Sequence, residues 1–113
     1  MPCVSFVVDG ISAGARTVHL SGELDAAGAA EAAAAIAWAV SDAQSVVVDL
    51  STLTFLDSSG FRAIERGRLF AESVGHSFSV VGAHGIVHRV FDILTSPDAP
   101  GRGAVAVGAW KPL

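Results

Sequence analysis

Between Val46 and Gly60 the chain reads Val-Val-Val-Asp-Leu-Ser-Thr-Leu-Thr-Phe-Leu-Asp-Ser-Ser-Gly, and no other stretch restricts the fold as much. Consecutive valines favour a strand, and an unbroken apolar run is expected where a strand is covered on both faces. Leu53 and Phe55 follow at alternating positions, and Asp57-Ser58-Ser59-Gly60 then leads directly into a helical pattern. The segment reads as a central strand over 45–50 that delivers two hydroxyls to a helix N-terminus. Such a terminus presents unpaired N–H groups and the positive end of the helix dipole, which suits a serine cap and suits an anion better. A serine that can be given a phosphate is the reading this placement favours.

The remaining sequence bounds what surrounds that segment. At 113 residues the chain has the size of one domain spanning 1–113, with a core over about 4–94 and a loop and short tail over 95–113. With 51% apolar and 16% charged residues, an α/β domain fits better than disorder. The net charge is −4 and the basic residues are scattered except for Arg62, Arg66 and Arg68, so the basic face of a nucleic-acid binder is missing. Cys3 is the single cysteine, which excludes an internal disulfide and a Cys-Cys metal knuckle. Nothing resembles a secretory signal, so a cytoplasmic location is expected. The apolar window 26–40 is too short to span a bilayer and carries Glu31; it reads as a buried helix, with no membrane insertion.

Val4, Phe6 and Val8 alternate with their neighbours ahead of an Asp9-Gly10 turn, and Val18 and Leu20 alternate over 16–21. Two strands forming an opening hairpin are expected there. Asp25 is placed to cap a helix that runs through the alanines to about Val40, where Ser41 and Asp42 end it. A second helix follows Asp57, with Phe61, Ile64, Ala71 and Val74 on its apolar face and Gly75 as its C-terminal stop. A fourth strand over 78–81 precedes a helix in which Val87, Val90, Phe91 and Leu94 stand at i, i+3, i+4 and i+7. Residues 104–107 offer a short last strand. The order predicts a small mixed central sheet with helices packed on it.

Several residues invite chemistry. Ser58 or Ser59 as a hydrolase nucleophile would want Gly-x-Ser-x-Gly, whereas Asp57 places negative charge where an oxyanion must develop. His84 and His88 share one helical face but lack a third ligand at useful spacing, so they read as solvent-facing rather than metal-binding. His19 and His76 read as lone structural residues. Asp25, Asp49 and Asp57 each stand near a strand end. For Asp49 a turn-forming role is favoured. For Asp25 and Asp57 a cap or dipole partner competes with a carboxylate that tunes a neighbouring phosphoacceptor. A second hydroxyl exceeds what a cap needs, and Gly60 behind it admits close approach by another backbone or a partner.

These residues resemble a known pattern. Asp49-Leu50-Ser51, Leu53, Phe55 and Asp57-Ser58-Ser59-Gly60 are similar to the signature of the STAS domain, in particular the anti-sigma-factor antagonists of bacteria. Gly22-Glu23-Leu24-Asp25 and Arg89-Val90-Phe91-Asp92 extend the resemblance over 4–94. The resemblance implies a regulator of transcription rather than an enzyme, with no cofactor. The unphosphorylated protein would capture an anti-sigma factor that is also a serine kinase, and phosphorylation at Ser58 would end the capture until a phosphatase reverses it. Asp25, Asp57, Ser59, Gly60, Phe61 and Arg62 are then the expected switch and partner-binding residues. The rival readings are a STAS subunit of a transporter or larger signalling assembly without a phosphorylation switch, and a small serine hydrolase.

Two departures from the family pattern stand out. Phe61-Arg62 replaces the Leu-Gly common after the motif, and puts a cation one turn beyond Ser58, where it either pairs with a phosphate on Ser58 or marks a non-standard partner. Where the family adds a last amphipathic helix, this chain has Ser96-Pro97-Asp98-Ala99-Pro100-Gly101 and a tail containing Trp110, which either covers core or offers a dimer contact.

Overall fold

Valine-rich and alternating segments become strands and alanine-rich or amphipathic segments become helices in the computed structural model, which describes residues 4–10, 12 and 14–95. In chain order these are β1 (Val4–Val8), β2 (Ala15–Leu24), α1 (Ala29–Asp42), β3 (Ser45–Leu56), α2 (Ser58–Ser73), β4 (Ser77–Val81) and α3 (Gly85–Thr95). The strands form one sheet in the order β1-β2-β3-β4. β1 and β2 pair antiparallel as the expected hairpin, while β2–β3 and β3–β4 are parallel, so the sheet is mixed. The expected short strand over 104–107, and Trp110 with it, lie outside the described residues.

The side chains of Val18, Leu20, Val46, Val48 and Leu50 are fully buried in one core with Ile36 and Val40 of α1, Phe61 and Ile64 of α2, and Val87 and Phe91 of α3. All three helices therefore feed the same face of the sheet. The other face carries Thr17, His19, Val47 and Asp49, which are only partly buried, and among the described residues no helix covers it. This corrects the expectation that the valine run is covered twice: Val46 and Val48 are buried, whereas Val47 stays partly accessible.

β3 also runs six residues beyond the expected end at Leu50. Its pairing with β2 shifts register between His19 and Ser21, and again between Gly22 and Glu23; each time β3 advances one residue more than its partner. Two such bulges replace strict alternation and leave Leu50, Leu53 and Leu56 all buried at three-residue spacing, while Phe55 turns outward. The strand thereby reaches Asp57 with Leu56 still on the core side.

Helix boundaries differ in two places. α1 begins at Ala29, not after Asp25, and includes Ser41 and Asp42; Arg16 on β2 holds the Asp42 carboxylate through Nε at 2.7 Å and stacks 4.6 Å above the Trp38 ring. α2 ends as expected. Gly75 adopts φ +75°, its N–H donates to the Glu72 carbonyl at 3.2 Å, and the His76 N–H donates to Ala71 at 2.9 Å, the paired bonds of a Schellman stop. Val74, expected on the apolar face, is exposed.

Candidate switch site

Leu24 and Leu56 are register partners at the ends of two neighbouring parallel strands, and each is followed by an aspartate. Asp25 and Asp57 are thus brought side by side, and the Asp57 N–H donates to the Leu24 carbonyl at 3.3 Å. Two of the three segments that carry the family resemblance, 22–25 and 49–60, meet at this point.

Asp57, rather than Ser58, is the N-cap of α2. Its extended backbone lets Oδ1 accept from the Gly60 N–H at 2.9 Å, while its carbonyl accepts from Phe61 at 2.9 Å. The cap is therefore a carboxylate, doubly suited to the positive end of the helix. Ser58 becomes the first helical residue. It is exposed, and its hydroxyl has no hydrogen-bond partner among the described residues.

Asp25 does not cap α1. Its Oδ1 accepts from the Ala27 N–H at 3.0 Å, a local Asx turn. The N-cap of α1 is Gly28, which makes no side-chain cap. Ser59 is half-buried and opens into a groove with Arg62, Ala63 and Arg66 on one side and Ala26, Ala29 and Ala30 on the other. Arg62 is exposed, one turn from Ser58 as expected.

Gly60 and Phe61 lie inside the molecule. A Cβ on Gly60 would meet the Leu24 carbonyl and the side chains of Leu24 and Leu56, so the close approach that glycine allows is to the chain's own backbone. Phe61 is fully buried and meets the Phe91 ring edge-on, with centroids 5.1 Å apart. Expected among the contact residues, both are instead buried, and they set the position of the exposed Ser58 and Arg62.

Sequence reasoning missed a polar cluster on the open face. His19 Nδ1 lies 3.0 Å from Asp49 Oδ2 and its Nε2 lies 2.9 Å from Asp9 Oδ2. The hydrogen bond to Asp9 foremost, and that to Asp49, hold the His19 pKa above its ordinary value against the opposing pull of burial. Burial pushes the Asp49 carboxyl upward, but the Ser51 N–H and His19 outweigh it and hold the pKa below the ordinary value. The Asp49–Ser51 bond is the turn expected of Asp49. His84 reaches the Ser51 carbonyl at 3.0 Å, His88 faces Asp92 at 3.2 Å, and His76 faces the Val40 carbonyl at 2.9 Å. Among the described residues no three His, Cys, Asp or Glu side chains converge as a metal site.

A family model described as "Mlab, STAS domain" matches residues 8–95, which takes in every element from β2 to α3 and only the last residue of β1. The chain belongs to the STAS domain family. No curated protein matches it. Among solved structures, this STAS domain is similar to the anti-sigma factor antagonist SpoIIAA in its unphosphorylated form, with TM-score 0.67, 22% identity and 78% of each chain covered. It is similar to an anti-sigma factor antagonist from Mycobacterium paratuberculosis, with TM-score 0.65, 28% identity, and 76% of this chain and 73% of that one covered. The Bacillus cell fate determinant SpoIIAA in its phosphorylated form aligns with TM-score 0.67 and 19% identity over 96% of this chain and 91% of that one. At this identity the two SpoIIAA structures share the fold with the STAS domain. No helix among the described residues is long and apolar enough to cross a membrane.

Proposed function

We propose that this STAS domain is an anti-sigma-factor antagonist whose capture of a protein kinase partner is ended by phosphorylation of Ser58. The single observation that carries the reading is the state of Ser58: first residue of α2, exposed, and with its hydroxyl unengaged beside a carboxylate that already performs the capping. Similarity to an antagonist at 28% identity, and to a protein described in both unphosphorylated and phosphorylated forms, supports it.

In the proposed step the Ser58 Oγ–P bond forms as the bond from the γ-phosphorus of ATP to its bridging oxygen breaks. ADP leaves, and the hydroxyl proton passes to a base of the kinase. The product carries a charge of about −1.5 to −2. At the positive end of α2 that charge is tolerated within the free protein, so the fold survives. In a close-packed interface the same group must be desolvated beside Asp57 and Asp25, and the complex comes apart. Release without unfolding is what a reversible switch requires.

The test is a pull-down from native lysate scored for a kinase-like partner, followed by addition of ATP and mass analysis of this chain. Addition of one phosphoryl group at Ser58 together with release is the expected result. A complex that persists with no added phosphoryl group, and that is indifferent to Ser58→Glu, overturns the switch and fits a permanently docked subunit of a transporter or signalling assembly. Labelling of Ser58 or Ser59 by a serine-reactive probe would instead indicate a hydrolase.

A further inference from the structure

Arg62 and Arg66 stand one turn apart on α2 and, with Ser59 and Ala63, form one wall of an open groove of about 320 Å³. The other wall is Ala26, Ala29 and Ala30, at and just before the start of α1. Both guanidinium groups are exposed, and among the described residues neither has an ion-pair partner. Arg68, the third member of the same basic run, differs: it is buried and bridged to Glu72 at 3.3 Å and Glu65 at 4.0 Å. Among the described residues no carboxylate lines the groove, although the chain as a whole carries a net charge of −4. The groove is a local reversal of sign on an acidic protein.

Its shape adds to its charge. The alanine wall offers no side chain longer than a methyl group, so the main chain of another molecule can lie close against it. Two arginine stems supply apolar cover and their planar heads match carboxylates with paired hydrogen bonds. We infer that this groove receives an acidic segment of the protein partner, with Asp or Glu carboxylates on Arg62 and Arg66 and the segment's backbone over Ala26, Ala29 and Ala30. The inference rests on the reading of this chain as a docking protein and names the chemistry of what docks.

It also connects docking to the switch. Arg62 lies at i+4 from Ser58, the spacing at which two helical side chains meet on one face. A phosphate on Ser58 therefore competes with the partner's carboxylate for Arg62, and withdraws one of the two cations from the groove. Phosphorylation acts on the partner's contact by removing its counter-charge, in addition to placing a like charge nearby.

A random dodecapeptide library displayed on phage, panned against the immobilised full chain, tests the occupant. Acidic peptides are expected to be enriched on the wild type and lost on the R62E/R66E variant, both positions being exposed and away from the core. A synthetic copy of an enriched peptide should bind R66E at least about tenfold more weakly, the loss expected for a charge-assisted pair. R89E, at an exposed position of α3 outside the groove, should leave binding unchanged and separates the groove from overall charge. Enrichment of apolar or basic peptides, acidic peptides that bind R62E/R66E equally well, or retention of inorganic phosphate but of no peptide would each overturn the inference. Panning involves neither kinase nor phosphorylation, so its failure and a failure of the Ser58 switch are separately readable.

Discussion

The Leu24 carbonyl oxygen lies 2.5 Å from the point at which a Cβ on Gly60 would stand. That contact locks the end of β2 against the first turn of α2, and through it fixes Asp25 relative to Ser58. Gly60→Ala gains helix propensity of about 1 kcal/mol but forces backbone and the Leu24 and Leu56 side chains apart. A net loss of roughly 1–3 kcal/mol is expected, read as a lower urea midpoint with an unchanged slope.

Asp57 carries the cap of α2 while Ser58, the proposed phosphoacceptor, makes no internal side-chain bond among the described residues. Asp57→Ala removes the acceptor of the Gly60 N–H and should cost about 1 kcal/mol of stability. Ser58→Ala touches no internal bond and should remain within about 0.5 kcal/mol of wild type. Denaturation of the two variants side by side measures the difference; equal losses would place the cap on the wrong residue.

The His19 cluster predicts a pH dependence. Both ring nitrogens face carboxylates, and only the imidazolium can donate to both. A raised histidine pKa contributes stability that is fully present below about pH 6.5 and lost as pH rises through the folded value. The lowered Asp49 pKa contributes stability that is present above about pH 4 and lost as pH falls through its own folded value. Maximum stability from this cluster lies between those limits. With the His19 side chain 36% exposed, screening keeps its share below about 1 kcal/mol. Thermal unfolding should show Tm falling by about 5 °C or less from pH 5.5 to pH 8.5, and His19→Gln should flatten that slope.

If the proposed switch operates, Ser58→Ala keeps partner binding while abolishing phosphorylation, and Ser58→Asp weakens binding. Arg62→Gly tests the pairing of guanidinium and phosphate. Removal of Arg62 should speed dephosphorylation of phospho-Ser58 by a phosphatase, because an ion pair no longer holds the group. Unchanged phosphatase sensitivity together with unchanged partner affinity would exclude both roles of Arg62.

Much of this molecule is written locally. Val18 and Leu20 alternate as a half-buried strand must, and Val87, Val90, Phe91 and Leu94 recur as a helical face must; Val18, Leu20, Val87 and Phe91 enter the core while Val90 and Leu94 pack against it. Asp57-Ser58-Ser59-Gly60 announces a helix start because caps act over three residues, although sequence could not choose between Asp57 and Ser58 as the cap. Asp25 shows the limit of the same signal: its carboxylate satisfied the N–H two residues on, in a turn, and α1 started later at Ala29.

Register, by contrast, is a property of two strands at once. The bulges that bury Leu50, Leu53 and Leu56 together arise only when β3 lies against β2, and no periodicity within β3 discloses them. The same pairing sets His19 against Asp49, thirty residues away, and turned an apparently lone histidine into a bridge between carboxylates. The space that Gly60 leaves open is filled by the Leu24 carbonyl and by the Leu24 and Leu56 side chains, which local sequence does not disclose. The chain's own residues established the class of fold and the exposed serine, since both depend on short-range pattern and helix-end chemistry. The inner placement of Gly60 and Phe61, the polar cluster on the uncovered face and the arginine-lined groove depended on which distant segments the packed sheet brought into contact.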